Sequence, residues 1–227
     1  MSGNIKLGIA VSYWNDARCL NRCLGSLHES SVFDWFNVLW ILADGKYRYF
    51  VGKGKGTTSD EETDHVINKH LEEMIFAKNF GFVATEDPKE TKPFPERIKR
   101  QNCLDLAAQT KCDFVLILDS DEYLDGTKKM WSEFAEELRF IKYSHPVKYH
   151  LYGVRFVEKD KSDYYRARLI HHPEDVIYQL NHYSFNYTDE PKQALASMAI
   201  YHDPYSCRDK RRLIQNERYK KKMAYSE

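Results

Sequence analysis

The residues best suited to chemistry are Asp119, Ser120, Asp121 and Glu122, which follow directly on the apolar run Phe114, Val115, Leu116, Ile117 and Leu118. Two aspartates one residue apart, where the chain turns at a strand end, can both face one hard cation. Oxygen ligands suit magnesium or manganese, and substrate phosphates and water can fill the remaining positions. That pattern points to a metal-dependent enzyme acting on a phosphorylated nucleotide. The same residues also read as a turn leading into a helix N-cap, since Asp and Ser favour both. The rest of the chain decides between the two.

The elements around the motif predict an α/β fold. A run of five apolar residues rich in branched side chains predicts a strand buried on both faces, as in a parallel sheet. Open α/β sheets bind ligands beyond the carboxyl ends of their strands, where Asp119 and Asp121 fall. Upstream, Lys6–Tyr13 reads as a strand. A helix follows, capped by Asn15 or Asp16, with Leu20, Cys23, Leu24 and Leu27 at helical spacing. Phe36–Ala43 is a second strand, ending in Asp44-Gly45. Strand, helix, strand is the βαβ signature of a parallel sheet. Ser59–Lys78 reads as a helix capped by Ser59 or Asp60, Phe80–Thr85 as a strand and Glu96–Thr110 as a helix, with a polar loop over Glu86–Pro95. Trp131–Tyr143 reads as a helix. After it come short strands at Tyr149–Val157, Tyr164–Ile170, Val176–Tyr178 and Leu195–Tyr201, with a more antiparallel texture. Arg208–Met223 reads as a basic helix. The expectation is one domain over 1–227, with a nucleotide-binding half at 1–125 and a mixed-sheet half at 126–227.

Composition narrows the class. The 227 residues are 42% hydrophobic and 14% aromatic, enough to build a core. Formal net charge is zero, so nucleic-acid binding by bulk electrostatics is not favoured. No apolar run is long enough to span a bilayer, and the N-terminus lacks a signal pattern. Five cysteines with no Cys-x-x-Cys pair suggest a reduced, cytoplasmic protein with buried thiols.

Two attractive patterns fail on spacing. Gly52–Thr58, GKGKGTT, has neither phosphate-loop nor dinucleotide spacing and reads as a surface loop. His171 and His172 are adjacent on a predicted strand, so their side chains face opposite sides and do not easily share an ion.

Taken in order, five stretches resemble a GT-A glycosyltransferase, close to glycosyltransferase family 2. They are VSYWNDARCLNRCLGSL (Val11–Leu27), LADGKY (Leu42–Tyr47) and ERIKRQNCLDLAAQTKCDFVLILDSDEYL (Glu96–Leu124), then RARLIHHPEDVIYQLNHY (Arg166–Tyr183) and IYHDPYSCRDKRRLIQNERYKKKM (Ile200–Met223). The resemblance implies a three-layer α/β sandwich with a mainly parallel central sheet and a smaller antiparallel part in the C-terminal half, which is the acceptor side. It implies transfer of a sugar, with inversion, from a nucleoside-diphosphate sugar, commonly a uridine one, to an acceptor hydroxyl on a glycan, lipid-linked or protein substrate. Mn2+ or Mg2+ would be held by Asp121, Asp119 and His202, with Asp119 also placed to meet the ribose.

The same resemblance assigns Ser12, Tyr13, Asn15 and Asp44 to the donor nucleoside. Arg97, Arg100 and Asn102 go to its pyrophosphate, and Arg166 and Arg168, two apart on a strand, to the phosphate or the acceptor. Relatives carry a His-Glu pair as general base, but here the stretch is Asn181-His182-Tyr183 with no glutamate. His182 and Glu122 are the candidate catalytic groups, with Asp203 and Glu190 as alternatives. The basic tail is a candidate for peripheral membrane contact, although a solvated helix face is the plainer reading. Two other functions fit the pattern. A sugar-phosphate nucleotidyltransferase would normally carry a glycine-rich loop after the first strand, which Val11–Arg18 lacks. A non-catalytic nucleotide-sugar binding module would fit the missing glutamate.

Overall fold

A computed structural model describes residues 5–13, 16–28, 32–44, 59–74, 80–84, 96–144, 150–158, 162–179, 185–186 and 193–202. In chain order the elements are β1 (Lys6–Ser12), α1 (Ala17–His28), β2 (Asn37–Asp44), α2 (Glu61–Met74), β3 (Phe80–Ala84), α3 (Glu96–Gln109), β4 (Phe114–Asp119), β5 (Glu122–Leu124), α4 (Lys128–Ser144), β6 (Leu151–Glu158), β7 (Asp163–His171) and β8 (Gln193–His202). The eight strands form one sheet in the order β3-β2-β1-β4-β7-β6-β8-β5. β3, β2, β1 and β4 run parallel. β7 is antiparallel to both β4 and β6, β8 is parallel to β6, and β5 closes the edge antiparallel to β8.

Alternation along each strand builds the layers. Leu7, Ile9 and Val11, Val38, Trp40 and Leu42, and Phe114, Leu116 and Leu118 share one core with apolar residues of α1, α2 and α4. Ala10, Leu39, Ile41, Ala43, Val115 and Ile117 share the other with Cys103, Leu104 and Ala107 of α3. Helices therefore cover both faces, as strands apolar on both faces require. Each fully buried aliphatic side chain contributes roughly 1.5–3 kcal/mol.

Local chemistry sets the helix starts. Asp60 caps α2, its Oδ1 accepting from Thr63 N at 3.0 Å. Thr127 caps α4, its Oγ1 accepting from Met130 N at 3.2 Å, so this helix begins at Lys128 rather than Trp131. Among the described residues no helix is long and apolar enough to cross a membrane.

Three expectations need correction. Val176–Tyr178 is not a strand: it follows a 3-10 turn at Pro173–Asp175, and only Tyr178 makes a bridge, to Phe185. The backbone donors of this stretch go to side chains instead, Ile177 N to Asn186 Oδ1 and Tyr178 N to Gln101 Oε1. Second, Glu122–Leu124 forms the strand β5, hidden in sequence by its length and its acidic start. Third, Cys23, Cys103 and Cys112 are buried free thiols, but Cys19 is disulfide-bonded. Pairing needs a close approach of Cβ atoms that only tertiary structure supplies.

Gly8, in the middle of β1, is closely packed. A Cβ there would lie 3.3 Å from Val115 Cγ2 and 3.5 Å from Cys112 Sγ. Gly8→Val is therefore expected to cost about 1–3 kcal/mol by overpacking, visible as a lowered Tm. An unchanged Tm would mean that the β1–β4 contact has room to spare.

Candidate active site

The carboxyl ends of β1, β2 and β4 meet through the backbone. Tyr13 N donates to Ala43 O at 3.0 Å, and Ser120 N donates to Ser12 O at 2.9 Å. This places the Asp119–Glu122 turn beside the β1–α1 connection. Asp16, at the N-terminus of α1, fastens the two, its Oδ2 accepting from Ser120 Oγ at 3.0 Å. Arg22 of α1 donates to the Asp121 carbonyl at 3.3 Å and lies 4.3 Å above the Tyr123 ring.

Beneath the turn, two arginines and two carboxylates form a buried network. Asp119 Oδ1 accepts from Arg100 Nη2 at 2.6 Å, and its Oδ2 from Arg168 Nη2 at 3.2 Å. Arg168 also donates to Glu122 Oε1, and Asp119 N donates to Glu122 Oε2 at 2.9 Å. Arg100, Arg168 and Glu122 are 1–3% exposed. Burial drives the Glu122 carboxyl upward, against the pull of Arg168.

These positions bear on two expectations. Arg100 and Arg168, expected at the donor phosphates, are paired here with the carboxylates of Asp119 and Glu122. Glu122, a candidate base, is buried with both oxygens accepting bonds inside the protein. In this arrangement the carboxylate braces the turn. Arg166 shares a side with Arg168, both 5.1 Å from the Phe156 ring, but is half-buried and also stacks 4.8 Å from Tyr164.

Asp121 and His202 come together from opposite ends of the sequence. Asp121 Oδ2 lies 3.2 Å from His202 Nε2, and His202 Nδ1 lies 2.7 Å from Glu158 Oε2. Tyr164 donates to the other Glu158 oxygen at 2.5 Å. Burial lowers the His202 pKa, but the bonds and charges of Asp121 and Glu158 outweigh it and raise it to about 9. Burial raises Glu158, and the bonds from Tyr164 and His202 reverse this and hold it below its ordinary value.

The pair fits a divalent ion as two of its ligands. Neighbouring ligands on an octahedral ion with bonds of about 2.1 Å lie about 3 Å apart, close to the Asp121–His202 spacing. Glu158 behind the imidazole supplies the carboxylate that commonly orients a ligating histidine. Asp119 is not drawn into the pair, since both its oxygens face arginines. Among the described residues no three His, Cys, Asp or Glu side chains form a group able to hold a metal. That includes His171 and His172. Their rings approach to 4.2 Å, because His172 leaves the strand in the left-handed region at φ 52.

On the β2 side, both Asp44 oxygens accept from Ser59, at 3.0 Å from its N and 2.6 Å from its Oγ. Tyr13 is buried and its phenol pKa is raised, by burial first and then by Asp44 and Asp64. Lys99 of α3, 2% exposed, donates to Tyr13 O at 2.9 Å. Asn102 lies two residues from Arg100 on α3, so the two do not share a face. Asn15, His182, Glu190, Asp203 and the basic tail lie outside the described residues, as does the Arg97 side chain. As site residues Glu158, Asp16, Arg22 and Lys99 were missed in sequence. Asp16 stood out only as a possible helix cap, and Glu158 as a carboxylate at the end of a strand.

No family model matches the sequence, and no curated protein matches it at a significant level. Among solved structures, the crystal structure of S. aureus TarS 1–349 superposes on 88% of this chain and 61% of that chain, with 15% identity and a TM-score of 0.55. The fold is GT-A-like. At this identity the likeness speaks to the fold alone, and this chain spans less than two thirds of the TarS chain it matches. S. aureus TarS 1–349 in complex with UDP-GlcNAc is similar over 70% of this chain and 36% of that one, at 18% identity and a TM-score of 0.44. A glycosyltransferase involved in glycosylation of the major capsid of PBCV-1 is similar over 88% and 82%, at 12% identity and 0.34.

Arg168→Leu leaves Glu122 buried without its cation and should cost about 3–5 kcal/mol. Glu122→Gln, which removes a charge that burial already disfavours, should cost less. Equal losses in denaturant unfolding would contradict the pairing. For His202, the folded pKa lies above the unfolded one. Its stabilising contribution is fully present below pH 6.5 and is lost as pH rises through about 9. In chelator-treated protein, wild type should lose stability across that window relative to His202→Asn. Parallel pH profiles would refute the raised pKa.

Proposed function

We propose that this chain is a metal-dependent glycosyltransferase, moving a sugar from a nucleoside-diphosphate sugar to an acceptor hydroxyl. The observation that carries this reading is the Asp121–His202 pair at the carboxyl end of β4 in a GT-A-like fold, with Glu158 behind the histidine. Asp121 and His202 are the residues that would hold Mn2+ or Mg2+. A bound divalent ion supplies Lewis-acid stabilisation of the departing diphosphate. Glu158 keeps Nε2 of His202 turned toward Asp121. Arg100 and Arg168 hold Asp119 and Glu122, so the backbone of the turn is fixed before substrate arrives and little freedom remains to be lost.

Tyr13 and Asp44, with Ser59 and Lys99 around them, form the berth for the nucleoside at the β1 and β2 ends. A uridine nucleotide, inversion at the sugar carbon, and a glycan, lipid-linked or protein acceptor are what the family resemblance adds. His182 is the proposed base, on its place in the sequence. A degenerate, non-catalytic binding module is the rival that the inward-facing Glu122 favours.

Turnover of UDP-sugars, measured as UDP release with Mn2+ across a donor panel, tests the proposal. Wild type should release UDP from at least one donor. Asp121→Asn should lower the rate by about a hundredfold or more, the scale for losing a group that stabilises transition-state charge. Glu158→Gln should weaken metal dependence by about 10–100-fold. Activity unaffected by Asp121→Asn would refute the ion site, and no turnover of any donor would favour the binding module.

A further inference from the structure

On its way to His202, β8 falls out of step with its neighbour β6. Along β6 and β8 the ladder pairs Tyr152 with Gln193, Gly153 with Ala194 and Val154 with Leu195. It then jumps to Arg155 with Ala199 and continues to Glu158 with His202. Ala196, Ser197 and Met198 are extra residues on β8. Counted on from the Val154–Leu195 pair, an unbroken ladder would set Ala199 against Glu158. Because the slip is an odd number of residues, it also exchanges the faces of everything beyond it. Bulges of this kind re-aim side chains near functional sites.

Two of the extra residues are held by one side chain. Glu137 of α4 accepts from Ala196 N at 3.0 Å and from Ser197 N at 3.3 Å, and Ser197 Oγ also donates to it. Its carboxylate thus takes the backbone donors that the ladder leaves without a strand partner. Beyond the bulge, β5 pairs Glu122 with His202, Tyr123 with Tyr201 and Leu124 with Ile200, so the re-registered segment lies between two strands.

We propose that Glu137 is a positioning residue: by holding the β8 bulge at Ala196 and Ser197, it sets the register that delivers His202 to Asp121 and Glu158. Its consequence for catalysis rests on the ion site proposed above, whereas its control of register does not. Glu137 lies on α4 and acts on the site through strand position.

Disulfide trapping reads the register directly. In the wild-type background, Arg155→Cys with Ala199→Cys should cross-link, and Arg155→Cys with Ala196→Cys should not. With Glu137→Ala the preference should reverse. Glu137→Gln, which keeps the side-chain shape but loses one acceptor oxygen, should show a mixture and serves if the alanine variant does not fold. Mn2+ binding by electron paramagnetic resonance should weaken about tenfold or more in the same variants, the scale for a disturbed ligand-supporting shell. An unchanged cross-link pattern in the folded Glu137 variants overturns the proposal, whatever happens to Mn2+. A reversed pattern in a protein whose wild type binds no Mn2+ supports Glu137 as the register holder and refutes the ion site.

Discussion

Two guanidinium groups paired with two carboxylates at the carboxyl end of β4, with both guanidiniums and Glu122 buried, are the constraint on which the candidate site depends. Arg100 comes from α3, Arg168 from β7, and Asp119 and Glu122 flank the turn between β4 and β5. Removing one member of a buried ion pair leaves the other without compensation, at a cost of about 3–5 kcal/mol, a large share of a typical domain's total stability. The network therefore links three elements and forces the intervening turn into one conformation. Asp121, caught between Asp119 and Glu122 in sequence, has its backbone fixed by them, and its carbonyl is held again by Arg22.

The sheet divides labour across that turn. Its parallel half is specified by burial on both faces and places loops at one end. Its mixed half brings distant carboxylates and a histidine to the same end by strand pairing. Glu158 ends β6, His202 ends β8, and the edge strand β5 sets Glu122 opposite His202. The site is thus built where a rigid apolar sheet meets a network of charges that only make sense together.

Much of this was legible in the sequence. The five-residue apolar run ending at Asp119 gave β4, and the helical spacing of Leu20, Leu24 and Leu27 gave α1. Those signals are local, and burial enforces them. What the sequence hid depends on partners. Nothing local tells an arginine facing solvent from one paired with a carboxylate, so the partners of Arg100 and Arg168 were hidden. Glu122 gave no sign of its bond from Arg168, 46 residues away. β5 is three residues long and exists only because β8 lies beside it. The bulge that places His202 leaves no trace in residue types. Asn15 and His182 lie outside the described residues, so their sequence-based roles rest on resemblance alone.

As a proposed metal-dependent nucleotide site, the β4 end of the sheet is open to a thermal-unfolding experiment with UDP, in the presence and absence of Mn2+. UDP should raise the transition only when Mn2+ is present, by about 2.7 kcal/mol at a hundredfold excess over its dissociation constant, and Asp121→Asn should abolish the shift. An equal shift without metal, or no shift with UDP and Mn2+ together, would contradict it.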